Sequence, residues 1–252
     1  MSDFDRDLLL SAFLSKDEKD IQEAFASVDK EQVENDVVQA LGNAFKPFMC
    51  TDDIMNYGSD RQVEEQDQEL LAWLFNAIQG SKLEARRSLK LLQKLKKKYP
   101  KNPMFYNFTS VAYQTLGQDK KQLHTIKVTC KKFPNYLFGK IALANHHLLH
   151  KSHERISEIF DHKLQLDMHY PETEEMPTFH RSEIQAFYTV MGRYYARNQQ
   201  IACALKCYFL VEEAGVCDHL KVLANEILVT EFAVVMKASI QNLPHIDELL
   251  DE

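Results

Sequence analysis

Apolar residues recur at intervals of three and four positions along most of the chain. The segments 70–78 and 83–95 show this spacing most clearly, and they are closed by Gly80 and by Pro100. Such spacing places apolar side chains on one face of an α-helix, and segments of about 12–15 residues are longer than ordinary strands. We find no sustained alternation of apolar and polar residues. The pattern predicts an all-α protein.

The helical segments also repeat at a fixed distance. Pro100 and Pro134 are 34 residues apart, and each follows a helix end that is basic and aromatic, KKKYP in one case and CKKFP in the other. Between them the pattern predicts a helix, a tight turn at Gly117 and a second helix. Two-helix units that repeat every 20–50 residues are typical of stacked repeat proteins, since a single pair cannot bury its apolar face alone.

This spacing resembles the tetratricopeptide (TPR) repeat, whose signature is W-x2-L-G-x2-Y, then A-x3-F, then P. The matching units share a small residue followed by an aromatic residue three positions later. The two fullest matches are Tyr188-x2-Met191-Gly192-x2-Tyr195 with Ala204-x3-Tyr208, and Tyr106-x2-Thr109-Ser110-x2-Tyr113 with Pro134. Two weaker units are Ala72, Phe75 and Asn76 with Ser88-x3-Leu92 and Pro100, and Leu143-Ala144-x2-His147 with Phe160. The resemblance implies a TPR-like superhelix of helix pairs whose first helices line a concave groove for a partner segment.

Three regions follow from this reading. Residues 1–60 do not fit the repeat and predict a helical N-terminal extension of two or three short helices. Residues 61–218 form the predicted array, in which the third unit is extended by a longer helix end and an acidic loop at about 161–181. Residues 219–252 predict a C-terminal helix and an acidic tail. The helix at 219–240 is apolar around much of its girth, so we expect the N-terminal helices or another copy of the chain to cover it.

Composition narrows the class of protein further. Seven glycines and seven prolines are too few for a turn-rich β architecture. The first residues, MSDFDRDLLL, lack the basic segment of a secretory signal, and apolar runs such as FAVVM at 232–236 are far too short to span a membrane. We therefore expect a soluble, cytoplasmic protein without a membrane partner.

The net charge of −7 conceals a strong segregation along the chain. Residues 1–81 hold 18 acids and 6 bases, and residues 141–252 hold 17 acids and 9 bases. Residues 82–140 hold 15 bases and only 2 acids. A basic middle between acidic ends points to an anionic partner for the middle of the chain.

Two lysine clusters one repeat apart define a predicted basic edge. Its members are Lys94, Lys96, Lys97, Lys98, Lys101, Lys127, Lys131 and Lys132. We favour an acidic protein segment as the partner of this edge, because the chain as a whole is acidic and no aromatic platform is interleaved among the lysines. A nucleic-acid-binding helical repeat that uses the lysine stripe of residues 90–132 is the second hypothesis. Lysine at a helix C-terminus is also favourable without any partner.

The repeat phase predicts which side chains line the groove. They are Met104, Asn107, Phe108, Val111, Asn145, Leu148, Leu149, Thr189, Arg193 and Arg197. Arg193 and Arg197 lie one helical turn apart and could grip an acidic side chain of a partner. The alternative is that the chain's own N-terminal helices fill the groove. The sequence leaves these two readings open.

Candidate catalytic and metal residues are weak by comparison. His146, His147, His150, His153 and His162 are close in sequence, but no H-E-x-x-H motif is present, and we favour structural or surface histidines over a zinc site. The cysteines, among them Cys203 and Cys207 one helical turn apart, predict reduced thiols. No phosphate-binding glycine loop or nucleophile motif occurs. We therefore expect a non-catalytic scaffold or adaptor without a metal or cofactor.

Overall fold

A computed structural model describes residues 3–52, 64–150, 152–170, 176–215 and 217–241. These ranges are predominantly helical, as predicted. The helices and strands in chain order are α1 (Asp3–Ser15), α2 (Glu18–Ala26), α3 (Lys30–Leu41), β1 (Met49–Thr51), α4 (Glu65–Gln79), α5 (Lys82–Lys98), α6 (Met104–Thr115), α7 (Asp119–Lys132), α8 (Leu137–Leu149), α9 (Ile156–Ile159), β2 (Thr178–His180), α10 (Arg181–Arg197), α11 (Ile201–Glu213) and α12 (Asp218–Gln241).

Contacts divide the chain into two compact units. The central unit is Met49–Glu183, and the terminal unit combines Met1–Phe48 with Ile184–Glu252. This grouping differs from the predicted segments 1–60, 61–218 and 219–252, because α11 packs against α3 from the start of the chain and against α12 from its end. The fullest TPR match, at α10 and α11, therefore lies in the terminal unit.

Local sequence signals set the ends of several helices. Ser81 and Glu84 form a capping box at the start of α5, in which each side chain accepts a hydrogen bond from the backbone N–H of the other, at 3.2 and 3.0 Å. Asp29 accepts hydrogen bonds from two backbone N–H groups in the first turn of α3. The predicted turn at Gly117 is present, and its φ of 66° is the left-handed conformation that glycine adopts without strain.

Neighbouring helices of the central unit pack in chain order. α4 contacts α5 and α6, α6 contacts α7, and α8 contacts α6 and α7. The core shared by α4, α5 and α6 contains Leu74, Ile78, Leu92 and Phe105. At the far end of α4, the hydroxyl of Thr115 on α6 donates a hydrogen bond to the backbone carbonyl of Ile78 at 2.6 Å. Apolar burial and this polar contact fix α6 against α4.

The region after α8 departs from the prediction. Instead of a longer helix end, α9 is only four residues long and stops at Phe160. Asp161 and His162 both have positive φ, 53° and 60°, and such backbone cannot continue a right-handed helix. The carboxylate of Asp161 accepts a hydrogen bond from Lys140 on α8 at 2.5 Å. The predicted acidic loop contains a short 3-10 turn at Asp167–His169, and its residues 171–175 lie outside the described ranges.

A small parallel sheet in the central unit was not predicted. Met49, Cys50 and Thr51 of β1 pair with Thr178, Phe179 and His180 of β2. Just beyond the strands, Arg181 donates two hydrogen bonds to Asp52, at 2.7 and 2.8 Å. Strands of three residues are too short to show alternation in the sequence. Their pairing nonetheless joins the two ends of the central unit.

The terminal unit is built around α11 and α12. Phe25 of α2 stacks against Tyr208 of α11 with ring centroids 4.4 Å apart, and Phe13 of α1 lies 5.5 Å from Phe232 of α12. The buried carboxylate of Glu231 on α12 accepts a hydrogen bond from Arg6 of α1 at 2.9 Å. The predicted apolar helix at 219–240 is therefore covered by an N-terminal helix where α1 contacts α12. Self-association stays a prediction.

Among the described residues, we find no helix that combines the length and the apolar character needed to cross a membrane.

Candidate interaction surfaces

The predicted groove residues of α6 lie at the border between core and surface. Phe108 is almost completely buried and belongs to the core of the central unit, and Met104 and Val111 are partly buried against that core. Asn107 is half-buried, and its backbone carbonyl accepts a hydrogen bond from Ser110 at 2.7 Å. Phe108 therefore stabilises the fold, and Asn107 and Val111 are the side chains of this helix that a partner could reach.

The two adjacent leucines of α8, both predicted to line the groove, lie in different environments. Leu148 is fully buried, whereas 63% of Leu149 is exposed. Asn145, one turn before Leu149, is half-buried. Adjacent residues point about 100° apart on a helix, so one of two neighbours can lie in the core while the other faces the surface. The leucine of α8 that is open to a partner is Leu149, and this corrects the expected role of Leu148.

Phe75 of α4 adds an apolar side chain that the sequence reading did not assign to the groove. Its ring lies 5.8 Å from that of Phe108, yet 51% of Phe75 is exposed. We group the exposed and half-buried side chains of the first helices α4, α6 and α8 as a candidate surface, which we name the first-helix wall. Its members are Phe75 on α4, Asn107 and Val111 on α6, and Asn145 and Leu149 on α8.

The predicted arginines of α10 are engaged within the terminal unit. Arg193 and Arg197 both donate hydrogen bonds to the carboxylate of Glu226 on α12, at 3.0 and 2.6 Å. Burial raises the pKa of Glu226, but the hydrogen bonds from Arg197 and Arg193 lower it more, so the pKa lies below its ordinary value. The carboxylate that these guanidinium groups hold belongs to the chain itself. The expectation of an acidic partner side chain at this position is corrected accordingly.

Thr189, also predicted to face the groove, is buried in the same helix. Its hydroxyl donates a hydrogen bond to the backbone carbonyl of Gln185 at 2.6 Å. A hydroxyl satisfied in this way by the preceding turn has no need of a partner. The three side chains of α10 that were predicted to face a partner therefore bind groups of the chain itself; they are Thr189, Arg193 and Arg197.

The predicted basic edge separates into engaged and exposed lysines. Lys98 contacts Glu64 at 2.7 Å and Asp67 at 2.8 Å, and the hydroxyl of Tyr99 donates to Asp67 at 2.5 Å. The hydrogen bond with Asp67 is the largest of the causes that raise the pKa of Lys98. Lys98 is thereby neutralised by acids at the start of α4 and just before it.

Tyr106 draws two further lysines of the edge together. The ammonium groups of Lys96 and Lys132 lie 5.0 and 4.7 Å from the centre of its ring. Lys132 also donates hydrogen bonds to the Tyr106 hydroxyl at 2.6 Å and to the Pro100 carbonyl at 2.8 Å. Burial lowers the pKa of Lys96, the neighbouring Tyr106 raises it, and the charge of Lys132 lowers it again. The expected absence of an aromatic ring among the lysines is thus corrected by Tyr106, which belongs to the following helix.

The remaining lysines of the edge are exposed. They are Lys94, Lys97, Lys101, Lys127 and Lys131. Within the described part of the chain, these five side chains have no ion-pair partner. Because the contacts at Tyr106 and Pro100 bring the ends of α5 and α7 together, the exposed lysines of both helices border one another.

The histidines cluster at the end of α8 without forming a recognisable metal centre. The rings of His146 and His150 are 4.2 Å apart, and a ring nitrogen of His147 hydrogen-bonds with the Ser152 hydroxyl at 2.8 Å. The pKa of His146 is lowered first by burial and then by the neighbouring histidines and Lys127. Across the described ranges, no group of three or more metal-binding side chains has a geometry that could hold an ion.

All five cysteines are free thiols. Cys203 and Cys207 are buried in α11, and burial raises the pKa of Cys203 to about 11 and that of Cys207 well above its ordinary value. Thiols held in the protonated form are poor nucleophiles. We therefore interpret Cys203 and Cys207 as residues that pack in the core.

Comparison of the chain with protein-family models, with curated proteins and with solved structures finds no match in any of the three.

Proposed function

We propose that this protein is a non-catalytic interaction scaffold or adaptor of the TPR-like type, which holds a partner protein segment against the first-helix wall of its central unit. The observation that carries the proposal is the pair of large apolar side chains, Phe75 on α4 and Leu149 on α8, that are left exposed on first helices of the central unit. Apolar side chains exposed on a helix surface are a common means of holding a partner segment.

The packing of the central unit supports a rigid surface. α6 lies against α4 and α8, so Phe75, Val111 and Leu149 are held by helices that contact one another. In the repeat phase, Asn145 occupies the position that Val111 holds one 34-residue unit earlier. A rigid wall reduces the entropy lost on binding.

The test compares two leucines that are similarly exposed in different units. Leu149, 63% exposed, lies on the wall, whereas Leu14, 64% exposed, lies on α1 of the terminal unit. Leu149→Asp and Leu14→Asp each place the same charge on an exposed site and should leave the fold intact. Tagged wild type and both variants are used to capture partners from native lysate, and the captured proteins are compared by quantitative mass spectrometry.

We expect at least one partner to be retained by wild type and by Leu14→Asp and to be reduced about tenfold or more by Leu149→Asp. Equal retention by all three proteins would contradict the proposal. Equal loss in both aspartate variants would also contradict it, because it would show dependence on charge and not on the wall.

A further inference from the structure

The exposed positive charge of the central unit continues beyond the predicted basic edge along α5 and α7. On α5, Arg86, Lys90, Lys94 and Lys97 are all exposed, and their spacing of three and four residues places them on one face of the helix. On α7, Lys120, Lys127 and Lys131 are exposed on one face together with His124. We name these two rows the outer stripes.

The stripes face away from the packed interior. The opposite face of α5 buries Ala85, Ser88, Leu92 and Leu95, and that of α7 buries Thr125, Ile126 and Thr129. Both helices pack on α6. The contact of Lys132 with the Pro100 carbonyl brings the C-terminal ends of the two helices together, so the stripes meet at that end.

The stripes keep their positive charge in the folded chain. None of their lysines or arginines has an ion-pair partner within the described ranges. The two acids of residues 82–140 are Glu84 and Asp119, and Glu84 is occupied by its capping box. Like charges at this spacing oppose helix formation. A surface that retains such repulsion suits an anionic partner that relieves it.

Apolar side chains within the stripes distinguish between anionic partners. Leu83 lies on the same face of α5 as Lys90 and Lys94, and Val128, 38% exposed, lies between Lys127 and Lys131 on α7. A nucleic-acid backbone has phosphates for the lysines but nothing to cover Leu83 and Val128. A protein segment that mixes acidic and apolar residues satisfies both.

We infer that the outer stripes of α5 and α7 bind an acidic, amphipathic protein segment whose carboxylates contact the stripe lysines and whose apolar residues cover Leu83 and Val128. From Arg86 to Lys97 a stripe extends about 16 Å along the helix, which corresponds to about 11 residues of a helical ligand. This inference rests on the proposed function and names the chemistry of one partner. It assigns that partner to the second helices and not to the first-helix wall.

The experiment measures binding of a designed probe by fluorescence anisotropy. The probe is a labelled helical peptide of about 15 residues, in which glutamate and leucine alternate at three- and four-residue spacing. A peptide with glutamine in place of glutamate and a random-sequence DNA duplex of about 20 base pairs serve as competing ligands at the same ionic strength. The proteins are the full chain, the stripe variant Lys94→Glu/Lys97→Glu and the control variant Lys163→Glu/Lys237→Glu.

The two variants change the net charge equally, and Lys163 and Lys237 are exposed residues outside the stripes. We expect the acidic peptide to bind the wild type, the stripe variant to bind it about tenfold or more weakly, and the control variant to change affinity by less than about twofold. The glutamine peptide and the duplex should both bind more weakly than the acidic peptide.

Three results would overturn the inference. They are no binding of the acidic peptide, an equal loss in the stripe and control variants, and tighter binding of the duplex, which would assign the stripes to nucleic acid. Because Leu149→Asp leaves the stripes unchanged, partner capture that depends on Leu149 can persist when the peptide fails. Failure of this inference is thus separable from failure of the proposed function.

Discussion

Gly192 provides a quantitative test of how closely the helices of the terminal unit approach one another. A Cβ atom added at this position of α10 would lie 2.6 and 2.8 Å from the two terminal carbons of Leu223 on α12, and 3.1 Å from the Cβ of Cys207 on α11. Leu223 and Cys207 are both fully buried. Since neither has open space to move into, Gly192→Ala must displace packed side chains.

The size of the effect follows from two opposing contributions. Overpacking of a tight core costs about 1–3 kcal/mol, and the better helix propensity of alanine returns about 1 kcal/mol. The difference is a net destabilisation of about 0–2 kcal/mol, so we expect Gly192→Ala to lower the free energy of unfolding by about 1 kcal/mol. Gly139 of α8 is the comparison, because its nearest neighbour would be the Thr129 methyl group at 3.3 Å. Gly139→Ala should change the stability by less than about 0.5 kcal/mol.

The assay is urea unfolding followed by circular dichroism on wild type and both variants. A third comparison introduces Gly192→Ala into Leu223→Ala, which removes the two carbons that would clash. In that background the propensity gain remains without the clash, so we expect Gly192→Ala to stabilise by up to about 1 kcal/mol, which corresponds to a coupling of about 1–3 kcal/mol. An equal effect of Gly192→Ala in both backgrounds would refute the close approach at Gly192.

Three further predictions concern polar groups. Burial lowers the pKa of His169 to about 4 in the folded chain. The folded chain therefore binds a proton at His169 less well than the unfolded chain does. The stability that neutral His169 contributes above its unfolded pKa is lost as the pH falls. Relative to His169→Gln, wild type should lose about 2 kcal/mol between about pH 8 and pH 5, and parallel urea-unfolding profiles would contradict this. Glu226→Ala leaves two half-buried arginines without their carboxylate and should lower the free energy of unfolding by about 2 kcal/mol. An unchanged unfolding midpoint would show that these ion pairs do not stabilise the fold. Ser81→Ala removes the capping hydroxyl of α5 and should cost about 1 kcal/mol, with faster amide hydrogen exchange confined to the first turn of that helix.

The helices were predictable because their signals are local. Gly117 marks a turn, and the apolar spacing between Leu83 and Leu95 outlines α5. The buried small residues Ser110, Ala144 and Gly192 occupy the positions at which the repeat pattern demands close approach. Each of these features depends on a few neighbouring residues, which the sequence displays directly.

The candidate site was less predictable because it depends on contacts between distant residues. Arg193 and Glu226 meet across 33 positions, and nothing near either residue reveals the other. Lys96 and Lys132 converge on Tyr106, which belongs to neither of their helices. The pairing of β1 with β2 joins segments more than 120 positions apart.

Small errors of phase matter more at a site than in a core. Leu148 and Leu149 are neighbours with similar patterns around them, yet one is buried and the other is exposed. The exact inclination of α8 against α6 decides between them, and apolar spacing does not resolve a rotation of that size.

Site-specific photo-crosslinking tests the central claim most directly. A photoreactive phenylalanine analogue replaces Leu149 on the first-helix wall in one protein and Leu14 on α1 in another, and both are irradiated in native lysate. If the wall holds a partner segment, a discrete crosslinked product must form from position 149 and be lost when Phe75→Asp is added. A product that forms only from position 14, or that survives the Phe75→Asp change, would contradict the account.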